Sequence, residues 1–193
     1  MTSNYVVWKN KRVANGCVLN DLKGVPKIFQ LRKGISRLAG FGEDAVYKMK
    51  PDRERDMIVP DSVFNTELLI VASARLKDYF EKLNIPWVEY LPITLLDHKG
   101  KPVKDPCYII NALDPVDCLD VDKCEATWSK MVPDDIDELK HLVIDETKID
   151  PQRQLFRCKH YYRVVLVKRE LAMAIEEAGF TGIGWLELDK YVQ

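Results

Sequence analysis

Two segments of this sequence, 95 positions apart, each have the pattern of a strand, an amphipathic helix and a second strand, and this limits the fold more than any other feature. In the first segment, residues 68–72 form an apolar run typical of a buried strand, and residues 87–96 are predicted to form the next strand. Between them, four apolar residues recur at the spacing of one helix face: Leu76, Tyr79, Phe80 and Leu83. Ser73 is a suitable N-cap, and Asn84 can adopt the left-handed conformation that ends a helix.

The second segment repeats this order, with strands predicted at residues 164–167 and 183–188. Its apolar helix stripe has the same spacing: Leu171, Ala174, Ile175 and Ala178. Gly179 takes the place of Asn84 after the helix. Few residues are identical between the two helices, so two interpretations stay open. One is an internal duplication, and the other is the similarity that any two strand–helix–strand units share.

The segments between and after these units carry weaker signals. Residues 98–102 are predicted to form a turn, and residues 107–113 a strand that pairs with the preceding strand as a hairpin. Residues 114–125 are predicted to be irregular, and a short helix is predicted to begin at Pro133. The apolar positions of this short helix are Ile136, Leu139 and either Leu142 or Val143.

Residues 1–66 contain only short apolar runs broken by glycine and proline, so loops and short strands are expected there. We therefore predict an α+β fold in a single domain, with a mixed sheet, two strand–helix–strand units and a loop-rich N-terminal region. In this interpretation the basic region 1–66 packs on an α+β core formed by residues 67–193.

Length and charge exclude several classes of function. The 193 residues fit one domain, and 29 basic against 30 acidic side chains give a net charge of −1. A general polyanion-binding protein would carry a clear basic excess, so no nucleic-acid partner is expected. The N-terminus lacks the apolar core of a secretory signal and no apolar run approaches a membrane span, so no membrane partner is expected. Five cysteines, an odd number, favour reduced thiols and therefore a cytoplasmic location.

The sequence motifs of common enzymes and cofactor sites are not found. There is no glycine-rich phosphate loop, no G-x-S-x-G nucleophile motif and no H-E-x-x-H zinc motif. Cys118, Cys124, Cys158 and His160 are not spaced like zinc ligands, which usually occur in pairs separated by about two to four residues. We therefore expect no catalytic residue, no metal and no cofactor. A small enzyme with a Cys, His and carboxylate site stays as an alternative, because sequence does not show which side chains meet.

Residues 114–150 form a strongly acidic segment, with 12 acidic and 4 basic side chains, whereas residues 1–55 carry a net charge of +7. Like charges at this density cost stability unless other groups offset them. One interpretation is a solvated face, in which Asp134 and Asp135 stabilise a helix N-terminus. The other is a negative patch that docks a positively charged protein, with Trp128 as an aromatic anchor.

Short motifs within residues 68–189 resemble those of a known family. They are Val116-Asp117-Cys118-Leu119-Asp120, Trp128-Ser129, Leu142-Val143-Ile144-Asp145, Ile149-Asp150, Leu155-Phe156-Arg157 and Gly179-Phe180-Thr181-Gly182, with a closing strand through Trp185 and Glu187. This pattern is similar to that of the bacterial immunity proteins of polymorphic toxin systems, of the immunity family eleven type. The resemblance covers about the last two-thirds of the chain and does not extend to residues 1–66.

The resemblance implies a protein that is not an enzyme but binds a cognate toxin domain and neutralises it by direct protein–protein contact. The resemblance assigns no binding residues. The acidic segment predicts the partner-binding site, which has ten residues: Asp114, Asp117, Asp120, Asp122, Glu125, Trp128, Asp134, Asp135, Asp137 and Glu138. A regulatory or scaffold interaction module would present the same acidic surface and is the alternative function.

Overall fold

The computed structural model describes residues 3–42 and 44–192, in which twelve strands are interspersed with four short α-helices. The strands are β1 (Tyr5–Asn10), β2 (Val18–Lys23), β3 (Val46–Met49), β4 (Ser62–Asn65), β5 (Ile70–Ser73), β6 (Val88–Leu96), β7 (Cys107–Ala112), β8 (Thr127–Trp128), β9 (Ile136–Glu138), β10 (Leu155–Arg157), β11 (Val165–Lys168) and β12 (Ile183–Leu186). The helices are α1 (Phe29–Arg32), α2 (Ala74–Lys82), α3 (Val121–Cys124) and α4 (Arg169–Glu177). The fold is therefore mixed α+β with far more strand than helix.

Six strands close into a barrel in the order β2-β3-β6-β7-β5-β4. Strands β2 and β4 are parallel, as are β3 and β6, and the other neighbours are antiparallel. Buried apolar side chains fill its core, among them Leu19, Tyr47, Val63, Leu91 and Ile109. The predicted boundary between residues 66 and 67 falls between β4 and β5, which are hydrogen-bonded neighbours in this barrel.

A second sheet has the strand order β10-β11-β1-β12, and all of its pairs are antiparallel. Strand β1 lies inside this sheet and is buried on both faces. Val6 and Trp8 contribute to one apolar core, whereas Tyr5 and Val7 contribute to another. A strand that is buried on both faces shows a continuous apolar run instead of an alternating pattern, as residues 5–8 do.

The two strand–helix–strand units predicted from sequence have the same topology. In each unit the two strands that flank the helix leave a gap, and an antiparallel strand fills it: β7 lies between β5 and β6, and β1 lies between β11 and β12. A shift of 95 residues takes Ser73 and Val88 of the first unit to Lys168 and Ile183 of the second. Their partners on the two middle strands correspond as well: Ser73 pairs with Cys107 where Lys168 pairs with Tyr5, and Val88 pairs with Ala112 where Ile183 pairs with Asn10. This shared register favours an internal duplication. The order along the chain differs: the middle strand β7 follows the closing strand β6 in the first unit, whereas the middle strand of the second unit, β1, precedes the rest of that unit in the chain.

The predicted ends of the two long helices are confirmed. The Ser73 side chain accepts a hydrogen bond from the backbone N–H of Leu76, so Ser73 is the N-cap of α2. Asn84 and Gly179 follow α2 and α4 with φ values of 48° and 69°, the left-handed conformation expected after a helix. The helices lie in one core with Trp8, and their apolar residues there are Leu76, Phe80, Leu171, Ala172 and Ile175.

The prediction of a helix that begins at Pro133 is wrong. Residues Ile136–Glu138 form β9, which pairs with β8, and Asp134 has a left-handed backbone (φ 62°) that cannot continue an α-helix. Ile136, Leu139 and Leu142 are nevertheless buried in one core, because the chain turns between them. Three apolar residues at a spacing of three therefore do not distinguish a helix from a turning chain. The stretch predicted to be irregular contains the one-turn helix α3.

Candidate partner-binding surface

The acidic segment, residues 114–150, packs against one face of the β10-β11-β1-β12 sheet. Its buried side chains form a core with Tyr5, Val7 and Phe156 of that sheet, and they are Cys118, Leu119, Cys124, Ile136, Leu139, Leu142 and Ile149. Backbone hydrogen bonds hold it in place, as where the N–H of Val116 donates to the carbonyl of Arg157 (2.9 Å). The acidic residues lie between these buried positions, so the segment folds as an amphipathic irregular chain.

At α3, two of the predicted acidic residues are paired with lysines. Asp120 is the N-cap and accepts hydrogen bonds from the backbone N–H (3.2 Å) and the Nζ (2.7 Å) of Lys123. Glu125, which has a left-handed backbone (φ 47°), accepts a hydrogen bond from Lys140 Nζ at 2.6 Å. The bond from Lys123 lowers the pKa of Asp120, and the bond from Lys140 lowers the pKa of Glu125. Lysines within the segment thus offset part of the charge repulsion.

Replacing Asp120 by alanine removes the N-cap of α3 and is expected to lower the free energy of unfolding by about 1 kcal/mol. Asp120→Asn keeps a capping oxygen, so it should lose only a fraction of that amount. Urea unfolding followed by circular dichroism measures both values. An equal loss in the two variants would mean that the negative charge, and not the cap, is what stabilises this turn.

Around His160, three of the predicted residues come together. The His160 ring lies 5.4 Å from the Trp128 ring in an edge-on arrangement, and its Nδ1 is 2.6 Å from the backbone carbonyl of Asp134. Asp117 Oδ2 is 3.8 Å from His160 Nε2 and 3.5 Å from Lys159 Nζ. His160 itself has a left-handed backbone (φ 68°), a costly conformation for a residue that is not glycine. Sequence reasoning did not select it for this site.

Of the other predicted residues, Asp135 and Asp137 line a cleft that His160 also lines, and the remaining ones are not among the residues of that cleft. Asp135 is half-buried and forms a 2.8 Å ion pair with Lys33, which follows α1. Asp137 and Glu138 are exposed on β9, and Asp122 is exposed on α3. Asp114 is exposed near the carbonyl of Gly34, to which its backbone N–H donates. The ten residues therefore share one segment without converging on one point.

Trp128 is 44% exposed, although Cys124 and Ile136 of the same segment are buried in a core. Other exposed apolar side chains lie close to it in sequence or in space. Met131 and Val132 follow it, and Phe29 of α1 shares a cleft with Val132. The apolar pair Met131–Val132 within an acidic segment was a signal that could have been noticed. No sequence pattern marked Phe29, because its position depends on where α1 packs.

A broad groove of about 940 Å³ lies beside the acidic segment, and its lining residues can be compared with those that an enzymatic site would need. Two of its carboxylates serve the fold: Glu146 accepts hydrogen bonds from Ser3 and Asn4, and Glu187 pairs with Arg169 at 2.7 Å. Within the described residues, no group of three or more His, Cys, Asp and Glu side chains is placed to hold a metal ion. All five cysteines are free thiols and buried, and burial raises the pKa of Cys17 and Cys107 to about 12.

Of the helices in the described part of the chain, none has the length and apolar character of a membrane span. None of the curated proteins matches the chain significantly. The model of the immunity protein family (Imm11) matches residues 26–190. This match begins well before residue 68, so it includes most of the N-terminal region that the sequence motifs left unplaced, and β2 lies just outside it. Because it covers most of the 193 residues, the chain belongs to the immunity protein family (Imm11).

Proposed function

We propose that this protein is a cytoplasmic immunity protein that binds a cognate toxin domain and blocks its activity by direct contact through the surface around Trp128. The observation that carries the proposal is the half-exposed Trp128 ring. The ring lies against His160, whose Nε2 is 3.8 Å from the Asp117 carboxylate, in a chain that belongs to an immunity family.

The physical properties of this surface suit a tight inhibitor. Trp128 lies on a two-stranded ribbon, and β9 of that ribbon is anchored by the buried Ile136. Little side-chain freedom is therefore lost when a partner covers the tryptophan, which is a common anchor at interface centres. The exposed carboxylates of Asp117, Asp134 and Glu138 lie on or beside the same ribbon. Such a negative rim attracts a basic partner and orients it before contact.

The proposal assigns no catalytic residue to the protein. Glu146 and Glu187, which line the broad groove, hold the N-terminal segment and α4 in place, which supports a structural role for them. The buried thiols, with their raised pKa values, are poor nucleophiles and are protected from oxidation. Free thiols of this kind also support the cytoplasmic location, where a reducing environment maintains them.

The test is co-expression with the C-terminal domain of whichever protein is encoded immediately upstream of this chain, scored by cell survival and by co-purification. Survival with a stable complex is the expected result. Death of the cells, or survival without a complex, would contradict the proposal and favour a regulatory or scaffold module.

If the acidic rim guides association, reversing three exposed charges should slow it. The variant Asp117→Lys, Asp122→Lys, Glu138→Lys is expected to associate about tenfold more slowly at low salt and to show a weaker salt dependence. Asp120 is left unchanged because it caps α3. Stopped-flow or biolayer kinetics from low to high salt measure both effects.

The matched control is Asp52→Lys, Asp78→Lys, Asp105→Lys, which reverses three exposed acids outside the acidic segment and makes the same change in net charge. It should leave the association rate close to that of the natural protein. If both triple variants slow association equally, overall charge and not this surface guides the partner.

A further inference from the structure

His160 lies in the connection between β10 and β11, and the residues on both sides of it are held in place. The backbone N–H of Lys159 donates to the carbonyl of Val116 (2.9 Å). Tyr161 is buried, and its hydroxyl lies 3.0 Å from the hydroxyl of Tyr191. His160 therefore meets the acidic segment from a fixed point of the β10-β11-β1-β12 sheet.

Three contacts connect His160 to the Trp128 ribbon, the two-stranded ribbon of β8 and β9. Its carbonyl oxygen accepts a hydrogen bond from the backbone N–H of Ile136 (2.8 Å). Its Nδ1 lies 2.6 Å from the carbonyl oxygen of Asp134, and because this oxygen can only accept, Nδ1 carries the hydrogen of the bond. Its ring meets the Trp128 ring with the centroids 5.4 Å apart and the planes at 71°, a favourable geometry for two aromatic rings. One residue thus holds both the turn before β9 and the aromatic ring of β8.

The backbone of His160 is strained. His160 and Asp134 both have left-handed backbones, with φ values of 68° and 62°, although neither is glycine. Such a conformation raises the free energy of the fold and persists where the surrounding structure fixes it, often at a functional site. Glycine would adopt it without strain, but it would lose the bond to Asp134 and the contact with Trp128. The His160 ring lines an open cleft, so packing of a core does not explain why a histidine occupies this position.

We infer that His160 is a positioning residue, which fixes the Trp128 ring in one orientation before the partner arrives. Trp128 lies on a strand of two residues and is half exposed, so without this contact its side chain would be free to exchange between rotamers. Ordering such a side chain on binding reduces affinity, whereas a ring that is already fixed avoids that loss. The importance of His160 for binding rests on the proposed function, but the fixed orientation of the ring does not.

The other nitrogen of the imidazole does not fix its orientation. His160 Nε2 is 3.8 Å from Asp117 Oδ2, which is too far for a direct hydrogen bond, and the same oxygen lies 3.5 Å from Lys159 Nζ. The orientation therefore depends on the bond from Nδ1 to the Asp134 carbonyl and on the contact with Trp128. The informative substitution is one that removes the imidazole but keeps the left-handed backbone. Asparagine meets this condition, because it adopts that conformation more readily than most residues.

The fixed ring can be tested on the whole protein without the toxin domain. The readout is the order parameter of the Trp128 indole Nε1–Hε1 bond from NMR relaxation, with the signal assigned by Trp128→Phe. A value near about 0.85, typical of rigid groups, is expected in the natural chain, and a value below about 0.6 in both His160→Asn and His160→Gly. His141→Gly, the same change at an exposed histidine outside the ribbon, should leave the value unchanged. A mobile ring in the natural chain, an unchanged value in His160→Asn, or an equal fall in His141→Gly would overturn the inference.

A second experiment is a double-mutant cycle with the toxin domain, which measures whether His160 acts through Trp128. His160→Asn is expected to weaken binding about fivefold or more in the natural chain, but by less than about twofold in the Trp128→Ala variant. An equal loss in both would overturn the positioning role, because a histidine that touches the partner or supports the fold in general acts without the tryptophan. If the natural chain does not bind the toxin domain, the proposed function fails. The order parameters still decide whether His160 fixes the ring.

Discussion

Replacing Asp61 by alanine is expected to lower the free energy of unfolding by about 3 kcal/mol, because one largely buried carboxylate satisfies donors of three residues from two distant parts of the chain. Its oxygens accept hydrogen bonds from the Arg75 guanidinium (3.0 and 2.9 Å), from the Ser73 hydroxyl (2.8 Å), and from the backbone N–H and hydroxyl of Thr181 (both 2.9 Å). Thr181 follows α4, and Ser73 and Arg75 are at the start of α2. Asp61 therefore joins the two strand–helix–strand units.

The matched control for this prediction is Asp52→Ala. Asp52 is well exposed and its carboxylate pairs with Lys50 at 3.4 Å, so its loss should change the free energy of unfolding by less than about 0.5 kcal/mol. Urea unfolding at pH 7 measures both variants. If Asp61→Ala costs no more than Asp52→Ala, the junction between the units does not depend on this carboxylate.

The same residue predicts a pH dependence. Burial alone would raise the pKa of Asp61, but the hydrogen bonds from Arg75, Thr181 and Ser73 outweigh it and lower the pKa to about 2, against 3.8 without these contacts. The stabilisation is therefore fully present above pH 4 and is lost as the pH falls towards 2. Over this range the natural protein should lose about 1 to 2 kcal/mol more than Asp61→Asn. If the free energy of unfolding falls equally in the natural protein and in Asp61→Asn, Asp61 is not the group responsible for this pH dependence.

Trp128→Ala is expected to weaken binding of the toxin domain by about 30-fold or more, or about 2 kcal/mol, if this ring anchors the interface. The free energy of unfolding should change little, because the half-exposed ring loses mainly its contact with His160. Calorimetric titration and urea unfolding of the same sample separate the two effects.

The control for Trp128 is Met173→Ala, which truncates an apolar side chain of α4 that is 56% exposed outside the acidic segment. It should leave the dissociation constant unchanged within about twofold. A large loss of stability in Trp128→Ala with unchanged binding would instead make the tryptophan part of the structural core.

The parts of the fold that depend on local pattern were predictable from sequence. The apolar stripes located α2 and α4, and Ser73, Asn84 and Gly179 marked their ends. The partners of β1 were not predictable, because they lie more than 150 residues further along the chain and no local feature specifies them. The two-residue strand β8 is too short to leave any pattern, and so its pairing with β9 was missed.

The candidate surface was predictable in its composition but not in its electrostatics. Sequence identified the acidic segment and Trp128, and these stay predictions for partner binding. Whether a carboxylate is paired depends on the fold: Asp135 meets Lys33 across 102 residues of chain, and His160 meets the carbonyl of Asp134 across 26. The cleft that Phe29 shares with Val132, which Arg32 and Arg163 also line, is formed only when distant segments pack, so a count of charges along the chain could not locate it.

A titration of the toxin domain's activity with the purified protein tests the proposed immunity function without any cell-based readout. A stoichiometric inhibitor should reduce the activity in proportion to the amount added and abolish it near one equivalent, without any dependence on incubation time. Activity that persists at an excess of the protein would contradict the immunity function. Loss of activity at far less than one equivalent, growing with time, would mean that the protein acts by turnover as an enzyme.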